Sequence, residues 1–274
     1  MEFGNVTNER IEVDNKGVFF MIDSHIHLHQ YDVDELETSV PTWKEAGIEK
    51  VVAVSMNWQS SIQTLTLHER FPDFVLPAIG YHPEQSLPTE EELDKLTTLI
   101  KENAQKIVAI GEVGLPYYEK SSNKQYEDLL EYFVKLSVHL DLPIVLHAVH
   151  DTAERALYLL KKHEVKKAHF HWLKAPEEVV KEIVQAGYYI SVTPEVCYRK
   201  RDERLVEIVP LEQLLVETDG PWSYDGPFQN VETTPLLIEE ICKVLANKKG
   251  KEVEEIMIQT SQNAKKLFQY GGKS

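Results

Sequence analysis

Apolar and polar positions along the chain fall into two alternating kinds of segment. Short apolar or β-branched runs recur at residues 18–28, 50–55, 74–80, 106–112, 142–147, 168–172, 188–192 and 214–219. Between them lie longer stretches whose apolar residues have helical spacing, such as Leu129, Leu130, Phe133, Val134 and Leu136. Runs of the first kind read as buried strands and stretches of the second as amphipathic helices. Helices are expected over 34–46 (interrupted near Pro41), 59–69, 89–102, 125–139, 151–163 and 176–186, then over 233–247 and 253–268. The best-marked start is Thr89-Glu90-Glu91-Glu92, a capping threonine followed by early acids.

Eight strands alternating with helices predict a (β/α)8 TIM barrel, an α/β fold, as a single domain over residues 18–274. A doubly wound open sheet has the same local pattern. The polar residues decide between them. His25, His27, Glu112, His147, His171 and Asp219 all stand at or just past the C-terminal ends of their strands, where barrel active sites are built. In an open sheet the outer strands lie too far apart for all six to meet. Residues 1–17 form a polar, mostly acidic extension ahead of the barrel.

Composition narrows the function. The 42% hydrophobic content suffices for one large core. A net charge of −16, from 45 acidic and 29 basic residues, argues against broad adhesion to nucleic acid or anionic membrane. It leaves a phosphate substrate open, because bound divalent cations reverse the field locally. Cys197 and Cys242 are too few for a disulfide framework. The N-terminal stretch lacks the basic and apolar regions of a signal peptide, and no apolar run approaches the ~20 residues of a membrane span. A cytoplasmic protein with no membrane association and no obligate protein partner is expected.

Alternation along the first strand points His25 and His27 the same way, so both can bind one ion. Four histidines and two carboxylates suit divalent metals such as Zn²⁺, Mn²⁺, Co²⁺ or Ni²⁺, with Mg²⁺ a further candidate. Six such side chains exceed what one catalytic ion uses, which points to two ions sharing a carboxylate. Two ions roughly 3.5–4 Å apart suit hydrolysis.

Seven pieces in order then carry a resemblance: Ile22-Asp23-Ser24-His25-Ile26-His27-Leu28, Gly80-Tyr81-His82-Pro83, Ala109-Ile110-Gly111-Glu112-Val113-Gly114-Leu115, Pro143-Ile144-Val145-Leu146-His147, Phe170-His171, Leu215-Val216-Glu217-Thr218-Asp219-Gly220-Pro221 and Asn263-Ala264-Lys265-Lys266-Leu267-Phe268. The chain resembles the TatD family of metal-dependent hydrolases, DNases among the amidohydrolase-like barrels. The resemblance implies that His25, His27 and Asp219 hold one metal, that Glu112 bridges, and that His147 and His171 hold the second. It also implies that Asp219 orients the attacking water or takes its proton, and that His82 lies near a substrate phosphate of DNA or a shorter nucleotide. Glu217, two residues before Asp219, is aimed inward by the same alternation, and a structural or ligand-supporting role and a direct one at the metals are equally open.

Three positions depart from the family pattern. Pro116 stands where aspartate is usual, Val149 where arginine is usual, and Trp172-Leu173-Lys174-Ala175 where Cys-Phe-Ser-Gly is usual. Lys174, His150 or Arg199 could restore the positive charge that Val149 lacks. The loss of the arginine keeps a second substrate class open, an amide, ester or lactone, and a non-catalytic metal-binding scaffold is a third reading. Tyr117-Tyr118 and Trp222 with Tyr224 either stack on a base or pack the rim. The basic run Tyr198-Arg199-Lys200-Arg201, with Arg204, fits a solvated helix start and a guide for a polyanion equally well. His169 is expected to be hydrogen-bonded one layer below the metals, and His29 to lie in a loop.

Overall fold

A computed structural model describes residues 20–118 and 123–270. The expected extension at 1–17 lies outside these residues. The strands are β1 (Met21–Ile26), β2 (Ile48–Ala53), β3 (Val75–Ile79), β4 (Ala109–Gly114), β5 (Ile144–His147), β6 (Ala168–Phe170), β7 (Tyr189–Val192) and β8 (Leu214–Val216). Each pairs with the next in sequence order, and every pairing is parallel. The chain then returns to β1. Asp219 N–H donates to the His25 carbonyl at 3.0 Å and His27 N–H to that of Gly220 at 2.8 Å, while the Ser24 hydroxyl donates to Val216 O at 2.7 Å. The fold is the expected (β/α)8 barrel.

Around the strands lie α1 (Val33–Glu45), α2 (Trp58–Arg70), α3 (Glu90–Glu102), α4 (Lys124–Leu140), α5 (Thr152–Lys162), α6 (Glu177–Gln185), α7 (Lys200–Ile208), α8 (Ile238–Lys249) and α9 (Val253–Phe268). Thr89 caps α3 as predicted, and Glu92 returns the bond to complete a capping box. Three details differ from the sequence pattern. α1 runs through Pro41 rather than breaking there. Pro41 sits on the exposed face, so the Glu37 carbonyl it cannot serve is left to water. The basic run after β7 opens a full helix, α7. β8 is shorter than its apolar run: Glu217 still donates its N–H to the Val192 carbonyl at 3.1 Å, but beyond it Asp219 turns to His25 and His27 while Thr218 turns to Asp23.

Two apolar layers result. One lies between strands and helices, with Phe74, Phe133, Phe170 and Ile110 fully buried. The other holds Ile22, Val52, Ala78, Val145 and Leu215 with Ala264, Leu267 and Phe268 of α9. Asn263 of α9 donates to the carbonyls of Leu211 and Leu214 at 2.7 Å each, and Ser261 to that of Phe20 at 2.8 Å. These bonds seat α9 across the N-terminal end of the barrel. The opposite end is left for chemistry.

Candidate metal centre

Local structure delivers each polar side chain to the mouth. β1 ends at Ile26, and its pairing with β2 shifts between Asp23 and Ile26. His27 therefore reaches the centre from just beyond the strand rather than from a regular alternation. Asp23 fixes this corner. Its carboxylate accepts the N–H groups of His25 (3.2 Å) and Thr218 (3.0 Å), and also the Thr218 hydroxyl. Asp219 then adopts a left-handed backbone, φ 49°, a conformation that costs a non-glycine residue about 1–3 kcal/mol and persists where its surroundings hold it. On β4, a side chain at Gly114 would stand 1.9 Å from the His147 carbonyl oxygen. Glycine alone lets β5 approach that closely, and the approach brings His147 Nδ1 to 3.0 Å from Glu112.

Glu112 is at the centre, fully buried, and its two oxygens face different sets of imidazoles. Oε2 lies 3.3 Å from His25 Nε2 and 3.3 Å from His27 Nε2. Asp219 Oδ1 closes that group at 3.3 and 3.4 Å from the same two nitrogens. Oε1 lies 2.8 Å from His171 Nε2, 3.0 Å from His147 Nδ1 and 3.4 Å from His82 Nε2. All six expected ligands converge.

These residues fit divalent metal. His25 Nε2, Glu112 Oε2 and Asp219 Oδ1 are buried, both oxygens lie 3.3 Å from the nitrogen, and none has a hydrogen-bond partner among the described residues. Buried polar atoms without a partner are costly, and a shared cation resolves all three at once. Nitrogen and carboxylate donors in this mixture suit Zn²⁺ and its neighbours. Among the described residues, His25, His27 and Asp219 make one set of potential ligands, His82, Glu112 and His147 a second, and His25, His171 and Glu217 a third that overlaps the first.

The electrostatics agree. Burial alone would raise Glu112, but the imidazoles of His171, His82 and His25 outweigh it and hold its carboxyl well below the usual range. Burial would likewise raise Glu217, yet its contacts with His169 and His171 keep it at about 2. Burial would lower His27, but Asp219 and Glu112 push it up to about 9. The pocket therefore sets ionised carboxylates against imidazoles shifted toward their charged form, a balance that a bound cation in place of those protons would also satisfy.

A supporting layer surrounds the ligands. Glu217 Oε1 lies 3.3 Å from His171 Nδ1 and accepts the Trp172 N–H at 2.9 Å. Its other oxygen is 3.5 Å from His169, whose Nε2 meets the Ser191 hydroxyl at 2.8 Å. Carboxylates placed behind ligand histidines fix ring orientation and tautomer. His169 thus sits buried below the centre, as expected.

The cavity above has a volume of about 970 Å³, and its walls include His82, Lys174, Val149, Tyr118, Trp172 and Trp222. The Lys174 ammonium stands 3.9 Å from the Trp172 ring centre and donates to the Tyr118 hydroxyl at 3.0 Å. His150 is placed differently: a left-handed backbone (φ 55°) turns its ring onto Tyr117, 4.3 Å away, and off the cavity wall. The basic run is largely matched by acids. Arg201 pairs with Glu195 and Asp202, Arg199 with Glu195 and Asp225, and Arg204 with Glu177 and Glu207. As a solvated ion-pair network it needs no further role. Trp172 and Tyr224 pack together at 5.6 Å, whereas Trp222 keeps 59% of its surface exposed at the mouth.

Two residues of the site carry no signal in the spacing of histidines. Asp23 stands in the Ile22–Leu28 piece, but nothing in its spacing points to Thr218. Glu84, a carboxylate two residues past His82, reaches His147 across a loop, its Oε1 3.3 Å from Nε2.

Comparison with known proteins agrees with this geometry. The model of the TatD related DNase family matches residues 22–269. A metal-dependent hydrolase of Haemophilus influenzae is 35% identical over 253 residues, covering 90% of this chain and 99% of its own. Human deoxyribonuclease TATDN3 is 31% identical over 261 residues, covering 90% and 94%. The crystal structure of a TatD homologue from Escherichia coli superposes with a TM-score of 0.81 at 24% identity, over 91% of this chain and 98% of that one. With the family model spanning nearly all of the barrel and these relatives matching it end to end, the chain belongs to the TatD family of metal-dependent hydrolases.

Proposed function

We propose that the protein is a two-metal phosphodiesterase acting on DNA or short nucleotide phosphodiesters. The division of Glu112 carries the reading: one oxygen serves His25 and His27, the other His147 and His171. In this assignment His25, His27 and Asp219 hold one ion, His147 and His171 the other, and Glu112 bridges. Divalent cations bound there acidify water at neutral pH and offset the negative charge that grows on phosphate oxygens.

The chain's own residues supply the remainder. With Oδ1 of Asp219 turned to His25 and His27, its second carboxylate oxygen orients a water at the cavity floor and accepts its proton. His82 Nδ1 accepts the Glu84 N–H at 3.2 Å, which leaves Nε2 as the protonated nitrogen, 3.4 Å from Glu112 Oε1 beside the cavity. It is therefore a donor for a phosphate oxygen rather than a ligand. Lys174 places a cation on the wall that Val149 leaves apolar, which favours an anionic phosphodiester over the neutral carbonyl alternative. Trp222 offers an exposed face on which a base can stack.

The test is cleavage of single- and double-stranded DNA by protein loaded separately with Mg²⁺, Mn²⁺ or Zn²⁺. Wild type is expected to cut. Asp219→Ala is expected to lose on the order of 10²–10⁴-fold in rate. Turnover of amide, ester or lactone substrates with none of DNA would overturn the phosphodiester assignment.

A further inference from the structure

The loop after β3 contributes a carboxylate that the ligand pattern does not include. Glu84 Oε1 lies 3.3 Å from His147 Nε2, and the same oxygen accepts the N–H groups of Tyr117 at 2.6 Å and Tyr118 at 2.8 Å. Its own backbone N–H donates to His82 Nδ1 at 3.2 Å. The side chain is 9% exposed. One residue thus touches both imidazoles that flank Glu112 Oε1 on this side, and it ties the β3 loop to the β4 loop.

The position of this carboxylate bears on His147. That ring presents Nδ1 to Glu112 and His171, at 3.0 and 3.3 Å, and Nε2 to Glu84. An imidazole held by a carboxylate on one nitrogen donates its proton there and offers the other nitrogen as a lone pair. Pro116, where the resemblance leads one to expect an aspartate, brings neither a carboxylate nor an N–H to this loop. The two amides that follow it are taken up by Glu84 instead.

We infer that Glu84 is a positioning residue for the second metal ion: it fixes the orientation and tautomer of His147, and through its backbone that of His82. The inference rests on the two-ion reading above, with His147 as a ligand of the second ion. Its loop-tying role and its action on His147 are separable. Glu84→Gln keeps a carbonyl oxygen for the Tyr117 and Tyr118 amides but gives up the charge facing Nε2. Glu84→Ala removes both.

The experiment is calorimetric titration of the metal-free full-length protein with Mn²⁺, and separately with Zn²⁺, alongside thermal unfolding. Wild type is expected to take up two ions. Glu84→Gln is expected to weaken one of the two by about 10–100-fold and leave the other unchanged, with unfolding temperature preserved. Glu84→Ala should weaken the same site at least as much. Two ions bound by Glu84→Gln with wild-type affinities would overturn the role of Glu84 while leaving the two-ion reading intact. Equal weakening of both ions would reduce Glu84 to general support of the loop and overturn it too. A single ion bound by wild type would remove the two-ion reading, and this inference with it.

Discussion

The two ends of the barrel are built from the same eight strands and solve opposite problems. At the N-terminal end, Ala264, Leu267 and Phe268 of α9 pack against Ile22, Val52 and Leu215, and side-chain amide and hydroxyl bonds to main-chain carbonyls hold the helix in place. The polar groups that anchor α9 there are paired, and the Tyr270 hydroxyl beside this layer is the exception, without a partner among the described residues. At the C-terminal end, three ionised carboxylates and four imidazoles are crowded together in burial, and several of their atoms have no hydrogen-bond partner. One end gains free energy by removing apolar surface from water. The other keeps buried carboxylates ionised only against positive charge, which the imidazoles carry and which a bound cation would replace. In this barrel, stability and chemistry are separated along the axis rather than between domains.

Crossing one substitution at each end tests this division. Glu112→Ala should abolish metal-dependent hydrolysis, the largest effect expected in the molecule, measured as initial rate on DNA. The same variant, metal-free, should also lose stability at neutral pH, because the imidazoles that hold the Glu112 carboxyl well below its usual range are left without their partner. Phe268→Ala should lose stability while keeping the chemistry. Its truncation is expected to cost about 3–5 kcal/mol of stability in denaturant unfolding, while the rate per folded molecule stays near wild type. Loss of activity in folded Phe268→Ala would show that the two ends are coupled. The contact at 6.2 Å between the Phe268 and His169 rings is the place where coupling would begin.

A smaller effect belongs to neither end. On the helical shell, the Lys162 and His163 bonds to Glu131 lower its carboxyl to about 2. A depressed carboxylate contributes stability that is fully present above its unfolded value and lost as pH falls through its folded one. Glu131→Gln should therefore narrow the gap to wild type between about pH 4.5 and 2, with a slight loss at neutral pH. Acid unfolding curves that stay parallel over that window would count against the pairing. Exposed pairs of this sort contribute little, so metal-centre variants should dominate any comparison.

Much of the fold and the six-residue centre was legible because both depend on local patterns. Apolar runs marked the strands, and ligand-type residues stood at their ends. The remainder depends on contacts between distant positions. Asp23 acts on Thr218 across 195 residues, and Glu84 acts on His147 across 63. Neither partner is fixed by spacing. His150 was placed toward substrate from its position after His147, but its backbone conformation turns the ring onto Tyr117. Pro41 was read as a break because the pattern does not show that the carbonyl it leaves unserved faces water. The basic run was ambiguous for a related reason: its acidic partners Glu195, Asp202, Asp225 and Glu177 come partly from other segments.

If Glu112 divides its oxygens between two ions, anomalous diffraction from crystals of the protein soaked in Mn²⁺ will show two peaks, one among His25, His27 and Asp219 and one beside His147 and His171, with Glu112 between them. A single peak at full Mn²⁺ saturation, or two peaks with Glu112 touching only one, would contradict it.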